Sequence, residues 1–249
     1  MSRLLKMMKV MKMLNNTRLV GLSLGLQLLL MAAIGPLLTH LWAETETFTF
    51  SGNSTTISMS EERRRTILSG DARISSEDLR IKADRIELYG DDFRYARCEG
   101  AVEVRNSAQK ISLTGDKLFL DRKLNKLRSP SYTEMVDLKN EIVIKSGYME
   151  HFDEENYSVF QIGVRILKAT EDGRMVCRSD YARYDREADT LELSGSPVVH
   201  WKGDRYSAVR ITINLETDEI EMEGNVEGEF TSKTQEEPAN GAENNSAGE

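Results

Sequence analysis

The sequence lacks the patterns on which helical proteins and most enzymes depend. No stretch of helical length carries apolar residues at a 3.6-residue spacing, which argues against a helical fold. Of the 3 histidines, His40 lies in an apolar N-terminal run, and His151 and His200 have no nucleophile elbow, phosphate loop or metal-spaced cluster around them. Both are expected on the surface of strands. The sequence therefore predicts a protein that is not an enzyme and holds no metal or cofactor.

Acids outnumber bases in the body of the chain, and prolines and cysteines are few. The formal net charge is −8, and residues 1–43 hold five bases and no acid, so the remainder is more acidic still and poorly suited to nucleic acid. Only 4 prolines occur in 249 residues, which suits regular strand pairing. The 2 cysteines, Cys98 and Cys177, fall at positions that we predict to be buried. Two separate core thiols are expected, and a disulfide between them is the alternative.

A repeated segment of about 32 residues organises the rest of the sequence. Its first copy reads Leu68-Ser-Gly-Asp-Ala-Arg-Ile and then Leu79-Arg-Ile-Lys-Ala-Asp-Arg-Ile. Short segments alternate apolar and polar residues, as half-buried strands do. The opening glycine recurs at Gly70, Gly100, Gly163, Gly195 and Gly224. We predict a repeat protein made of strands.

Within each repeat the apolar alternation changes parity at a small residue followed by Asp, as at Ala83-Asp84. An uninterrupted strand would then turn Ile86 and Leu88 to the opposite face. One extra residue, in a bulge or a sharp bend, restores the inward face. Corners stacked in register predict an elongated all-β trough with apolar walls.

Composition divides the chain into four parts. Residues 1–43 are basic and then apolar, typical of an export signal cleaved after Ala43; the apolar run 19–42 could instead remain as a membrane anchor. Residues 44–65 form a lead-in segment, and 66–230 hold the repeats. Residues 231–249 have no large apolar side chain after Thr231, which predicts a disordered acidic tail.

These repeats resemble the OstA-like domain of the periplasmic lipopolysaccharide-transport proteins, the LptA-like family. The resemblance covers the two motifs of the first copy and the closing segment from Leu193-Ser-Gly to Met222-Glu-Gly-Asn-Val. It implies an all-β, twisted β-jelly-roll of about five repeats that holds acyl chains inside and stacks end to end with partners. It also implies a periplasmic bridge carrying lipopolysaccharide or a related glycolipid from the inner to the outer membrane. An inner-membrane-anchored, LptC-like component of the same machinery is one alternative.

The resemblance and the apolar columns together predict the lipid-binding wall. Its ten residues are Leu79, Ile81, Ile86, Leu88, Ile111, Leu113, Leu118, Leu120, Val143 and Phe152. The third repeat departs from the pattern, with Lys145 and Glu150 in apolar columns and Tyr148 in place of Asp, so the sequence leaves the continuity of the wall open there. The same residues could instead fill a closed core, as in a structural or adhesive β-solenoid without ligand. The terminal strands are expected to offer free edges to another copy or to other transport components.

Overall fold

The computed structural model describes residues 49–58, 64–152 and 155–231, and these residues are almost entirely antiparallel β-structure. The prediction of an all-β fold is confirmed. Residues 1–43, and all of the acidic tail except Thr231, lie outside the described residues. Among those described, no helix is long and apolar enough to span a membrane.

In chain order the strands are β1 Thr49–Ser51, β2 Ser54–Ser58, β3 Arg65–Ser75, β4 Leu79–Tyr89, β5 Tyr95–Asn106, β6 Ile111–Asp121, β7 Lys126–Ser129, β8 Thr133–Asp137, β9 Ile142–Ser146, β10 Tyr148–Phe152, β11 Tyr157–Thr170, β12 Gly173–Asp185, β13 Thr190–Ser194, β14 Val198–Trp201, β15 Asp204–Ser207, β16 Arg210–Asn214, β17 Ile220–Glu223 and β18 Glu227–Glu229.

The strands form two arms that meet at a corner. The first arm runs through β1, the end of β3, the start of β4, the end of β5, the start of β6, β8, β9, the end of β11, the start of β12, β14, β15 and β18. The second arm runs through β2, the start of β3, the end of β4, the start of β5, the end of β6, β7, β10, the start of β11, the end of β12, β13, β16 and β17. The long strands β3, β4, β5, β6, β11 and β12 pass through the corner and belong to both arms. We call the opposite side, where the arms end in turns, the mouth.

The corner is made by bulges at the repeated glycines. Pairing of β4 with β5 shifts register between Lys82 and Arg85, and pairing of β5 with β6 shifts register between Glu99 and Val102. Comparable shifts lie between Ser69 and Ala72 and between Gln161 and Val164. The predicted parity change is confirmed, since Ala83 and Ile86 are both buried. The extra residue, however, lies opposite Ala83-Asp84, on the strand that carries the glycine. Gly100 has a φ of 76° there, a backbone conformation that glycine adopts at little cost.

The inner faces of the two arms supply the apolar core. One row of paired residues crosses the first arm from β4 to β14: Ile81, Val104, Leu113, Met135, Ile144, Ile166, Cys177 and Val199. The row continues through the third repeat, whose sequence departs from the pattern. Lys145 lies on the outer face in an ion pair with Glu134, and Glu150 lies on the outer face with Lys126.

Both cysteines are free and buried on this inner face. Cys98 lies between Ile86 and Leu118 in the second arm, whereas Cys177 lies in the first arm. The expectation of two separate core thiols is confirmed. Burial raises the pKa of each thiol to about 12, so neither is a reactive thiolate near neutral pH.

Replacing Gly100 with alanine is expected to destabilise the protein more than the same change at Gly163. Both residues have left-handed backbones, with φ of 76° and 63°, which cost an alanine about 1–2 kcal/mol. At Gly100 the new Cβ would also stand 2.8 Å from the Cβ of Asp84, whereas at Gly163 it would meet no described atom within 4 Å. Urea unfolding of the two variants measures the difference. Equal losses would contradict a steric role for Asp84 at the corner.

Candidate functional site

A cavity of about 450 Å³ opens between the two arms, toward the mouth. Its volume lies within the range of sites that hold a small molecule or one part of a larger one. The strands position its walls from both sides, with β4, β5, β6 and β8 on the first arm and β7, β10, β11 and β12 on the second. Its apolar floor consists of Leu79, Val104, Ile111, Leu113, Leu127, Met135 and Met149. Its polar rim consists of Asn106, Gln109, Lys139, His151, Asn156, Ser158, Tyr184, Arg186 and Glu187.

Eight of the ten residues predicted for the lipid-binding wall face the interior. Three of them, Leu79, Ile111 and Leu113, line the cavity itself. The other five belong to the inner faces beside it. Four of them pack in or against the core, namely Ile81, Ile86, Leu88 and Leu118, and Leu120 pairs with Ala96 and Leu127. The lipid-binding role of these residues remains a prediction.

The other two predicted residues, Val143 and Phe152, lie on the outer face. Val143 pairs with Val136 and Leu167, between the inward-facing and fully buried Ile142 and Ile144. Phe152 stacks on Tyr157 at a ring distance of 4.8 Å. The predicted placement is wrong because a spacing of 32 residues from Ile111 overshoots by one in the third repeat. A shift of one residue turns a strand side chain to the opposite face.

The corrected register identifies residues of the cavity that the repeat pattern missed. His151, expected on the surface, occupies the inner position next to Phe152, and its Nδ1 lies 3.0 Å from Oγ of Ser158. The repeat pattern missed Met149 because a spacing of 32 residues from Leu118 leads to Glu150, and it missed Met135 because that residue lies outside the aligned columns. A spacing of 31 residues takes Leu118 to Met149 and Leu120 to His151. It therefore identifies two of these three cavity residues.

A buried carboxylate joins the two arms across the mouth. Asp137, at the end of β8 in the first arm, is 0% exposed. Its Oδ2 accepts hydrogen bonds from the hydroxyl of Tyr184 at 2.8 Å and from Nε of Arg186 at 2.5 Å, both from the second arm. Arg186 also donates from Nη2 to the backbone carbonyl of Gln109, in a first-arm turn, at 2.7 Å. These bonds close the mouth at one end of the cavity.

The turns on either side extend this connection. Nζ of Lys139 and Nδ2 of Asn140, in the first-arm turn after β8, each lie 2.8 Å from Oδ1 of Asp189, in the second-arm turn after β12. Asn140 also donates to the hydroxyl of Tyr184 at 2.9 Å. Farther along the mouth, Lys168 forms an ion pair of 2.7 Å with Asp218. We call the first cluster the clasp; its members are Asp137, Lys139, Asn140, Tyr184, Arg186 and Asp189.

The clasp perturbs the acidity of its members. Burial, and then the charge of Asp137, raise the pKa of Tyr184 above its ordinary value, so this phenol stays protonated and keeps donating. The hydrogen bond from Lys139 lowers the pKa of Asp189, although partial desolvation opposes that shift. The clasp is therefore a set of charge-assisted bonds that is complete near neutral pH.

Fold and cavity define a class of protein: an antiparallel β-roll of two arms with an apolar cavity between them. Residues 51–219 match the family described as "LptA/(LptD N-terminal domain) LPS transport protein". The chain belongs to this family of lipopolysaccharide-transport proteins, and the resemblance noted in the sequence is confirmed.

A solved structure and the curated proteins add little to this assignment. The structure of LptH from Pseudomonas aeruginosa, the LptA-homologous periplasmic component of the lipopolysaccharide-transport device, aligns over 75% of this chain and 96% of that chain. The sequence identity is 8% and the TM-score 0.22, so the alignment carries no argument about function. No curated protein matches the chain significantly.

Proposed function

We propose that this protein is a periplasmic lipid carrier that holds the acyl chains of lipopolysaccharide or a related glycolipid in its cavity and passes them toward the outer membrane. The observation that carries the proposal is the cavity itself, which has an apolar floor and opens toward the mouth between the arms. A floor of this kind suits hydrocarbon, and a polar rim suits the boundary between hydrocarbon and head group.

The physical need for such a carrier follows from the cost of exposing hydrocarbon to water. An acyl chain of about a dozen methylenes costs roughly 10 kcal/mol to expose, at about 0.8 kcal/mol per methylene. Free diffusion of the lipid between two membranes is therefore negligible. Leu113 and its neighbours on the floor would shield the chain along the wall of the roll.

The location of the protein is part of the same proposal. The basic and then apolar residues 1–43 would direct export, with cleavage after Ala43 releasing the body into the periplasm. Retention of residues 19–42 would instead anchor the same roll to the inner membrane, as an LptC-like component. The mass of the protein isolated from the cell envelope distinguishes these two forms.

The ends of the roll supply the edges through which partners would join. Among the described pairings, β1 and β2 each pair only with β3, β17 only with β16, and β18 only with β15. Within the part of the chain that the structure describes, β1, β17 and β18 therefore have a second edge without a strand partner, which can accept a further strand. The partner would be a second copy or another transport component at the inner or outer membrane.

Replacing Leu113 with aspartate is expected to abolish lipid binding, because a carboxylate on the cavity floor would oppose an apolar chain. Val143→Asp is the matched control: it places the same charge on the same sheet, one strand beyond β8, but on the outer face. Native mass spectrometry of the envelope-purified proteins measures lipid occupancy, and circular dichroism checks that both variants keep their strands. Full lipid occupancy in a folded Leu113→Asp variant would refute lipid binding in the cavity. Unfolding of this variant, with no lipid on the unmodified protein, would favour the ligand-free solenoid.

A further inference from the structure

The clasp crosses the path that an amphiphilic cargo would take. Lys139 and Asn140 extend from the first arm and Asp189 from the second, and Asp137 meets Tyr184 and Arg186 beneath them. Lys139, Tyr184 and Arg186 also line the cavity. The clasp therefore forms one wall of the cavity and closes the mouth beside it.

A lipid with a bulky polar head can move along such a roll only with its chains between the arms and its head outside the mouth. Apolar walls favour the chains inside, and the cost of desolvating a head group keeps the head in water. Side chains of the two arms that hydrogen-bond across the mouth form a barrier there. They block the covalent link between the acyl chains inside the roll and the head group outside it. The chains could continue along the apolar row, but the head group could not follow.

We propose that the clasp divides the groove into two compartments and arrests an acylated glycolipid with its head group at the cavity rim, until the clasp opens. This inference rests on the proposed lipid-carrier function and adds the place where the cargo stops and the residues that stop it. The first compartment is the cavity over Leu113. The second continues past Leu191 and Ile213 to Ile220, which are cross-strand neighbours on the inner face of the second arm.

The composition of the clasp suits a barrier that opens without unfolding the roll. Its outer layer, Lys139 with Asp189, is solvent-exposed, with the Lys139 side chain 48% exposed, so water can replace this ion pair at small cost. Its inner layer, Asp137 with Arg186, is far less accessible: Asp137 is 0% and Arg186 28% exposed. Breaking the inner layer needs compensation, which an arriving head group could provide by hydrogen bonding to Arg186.

The test locks the clasp covalently and follows the cargo on both sides of it. Asn140→Cys and Asp189→Cys place two thiols where side chains now lie 2.8 Å apart, and a short reagent with two thiol-alkylating groups joins the arms. Native Cys98 and Cys177 are buried, so they should not compete for the reagent. The control is Glu134→Cys with Lys145→Cys, which also replaces side chains 2.8 Å apart but joins two neighbouring strands on the outer face of the first arm only.

A photoreactive residue at Leu113 or at Ile220 then reports added lipopolysaccharide in each compartment. Locking the clasp should leave crosslinking at position 113 unchanged and reduce it at position 220 at least tenfold. The control crosslink should label both positions as the unmodified roll does. The uncrosslinked Asn140→Cys/Asp189→Cys variant, which lacks two members of the clasp, should label position 220 at least as strongly. Undiminished labelling at position 220 in the locked protein would overturn the barrier. No labelling at either position in the unmodified roll would instead overturn the lipid-carrier function, and the inference with it.

Discussion

Asp137→Ala is expected to lower the free energy of unfolding by about 3–5 kcal/mol, the cost of breaking a buried ion pair by removing one partner. Asp137 is 0% exposed and accepts from Tyr184, from Arg186 and from the backbone N–H of Lys139 at 2.8 Å. Alanine leaves the Tyr184 hydroxyl and part of the Arg186 guanidinium without their acceptor inside the protein. An unsatisfied buried donor costs far more than a typical hydrogen bond contributes.

Urea unfolding compares this variant with Glu134→Ala, which removes an acid of the outer face. Glu134 pairs with Lys145 at 2.8 Å, but their side chains are 32% and 44% exposed, and exposed pairs contribute about 0–1 kcal/mol. A similar small loss in both variants would show that Asp137 is hydrated and that the clasp contributes little to stability.

Alkaline pH is expected to destabilise the protein through Tyr184. Its pKa is raised in the folded state by burial and by Asp137, whereas an unfolded tyrosine titrates near pH 10. The stability that comes from keeping this phenol protonated is fully present below about pH 10. It is lost as pH rises above that value, at about 1.4 kcal/mol per pH unit, because the unfolded chain releases a proton that the folded chain keeps.

The difference between the unmodified protein and Tyr184→Phe isolates this contribution. Other groups titrate in the same range and affect both proteins alike, so the free energy of unfolding of Tyr184→Phe should fall less steeply between about pH 10 and pH 12. Urea unfolding at several pH values measures the two slopes. Parallel slopes would mean that Tyr184 ionises in the folded protein as it does in the unfolded chain.

Much of the fold was predictable because its determinants are local. Alternation of apolar residues indicates strands, and the recurring glycine at Gly100 and Gly163 marks the corner. Strand register is harder to predict because it depends on the exact length of every turn. A turn that is longer or shorter by one residue moves all following side chains to the opposite face of the sheet. The 32-residue spacing therefore predicts Val143 and Phe152 on the inner face, where the structure has Ile142 and His151.

The clasp was not predictable, because its members come from distant parts of the sequence. Asp137 and Arg186 are 49 residues apart, and each stands in a turn or at a strand end, where polar residues are common. Only the pairing of β8 through β9 and β11 to β12 brings them to the same place at the mouth.

A rotation of the two arms about the corner changes the width of the mouth. From Tyr181 beside the corner to Arg186, the second arm extends about five residues, or roughly 15 Å at about 3.3 Å per residue. Drawing Asp137 and Arg186 apart by about 4 Å therefore needs a rotation of only about 15° between the arms. Residues at the corner such as Gly163 can absorb a turn of that size by small changes in φ and ψ. A small rotation at the corner is thus enough to separate the residues that meet across the mouth.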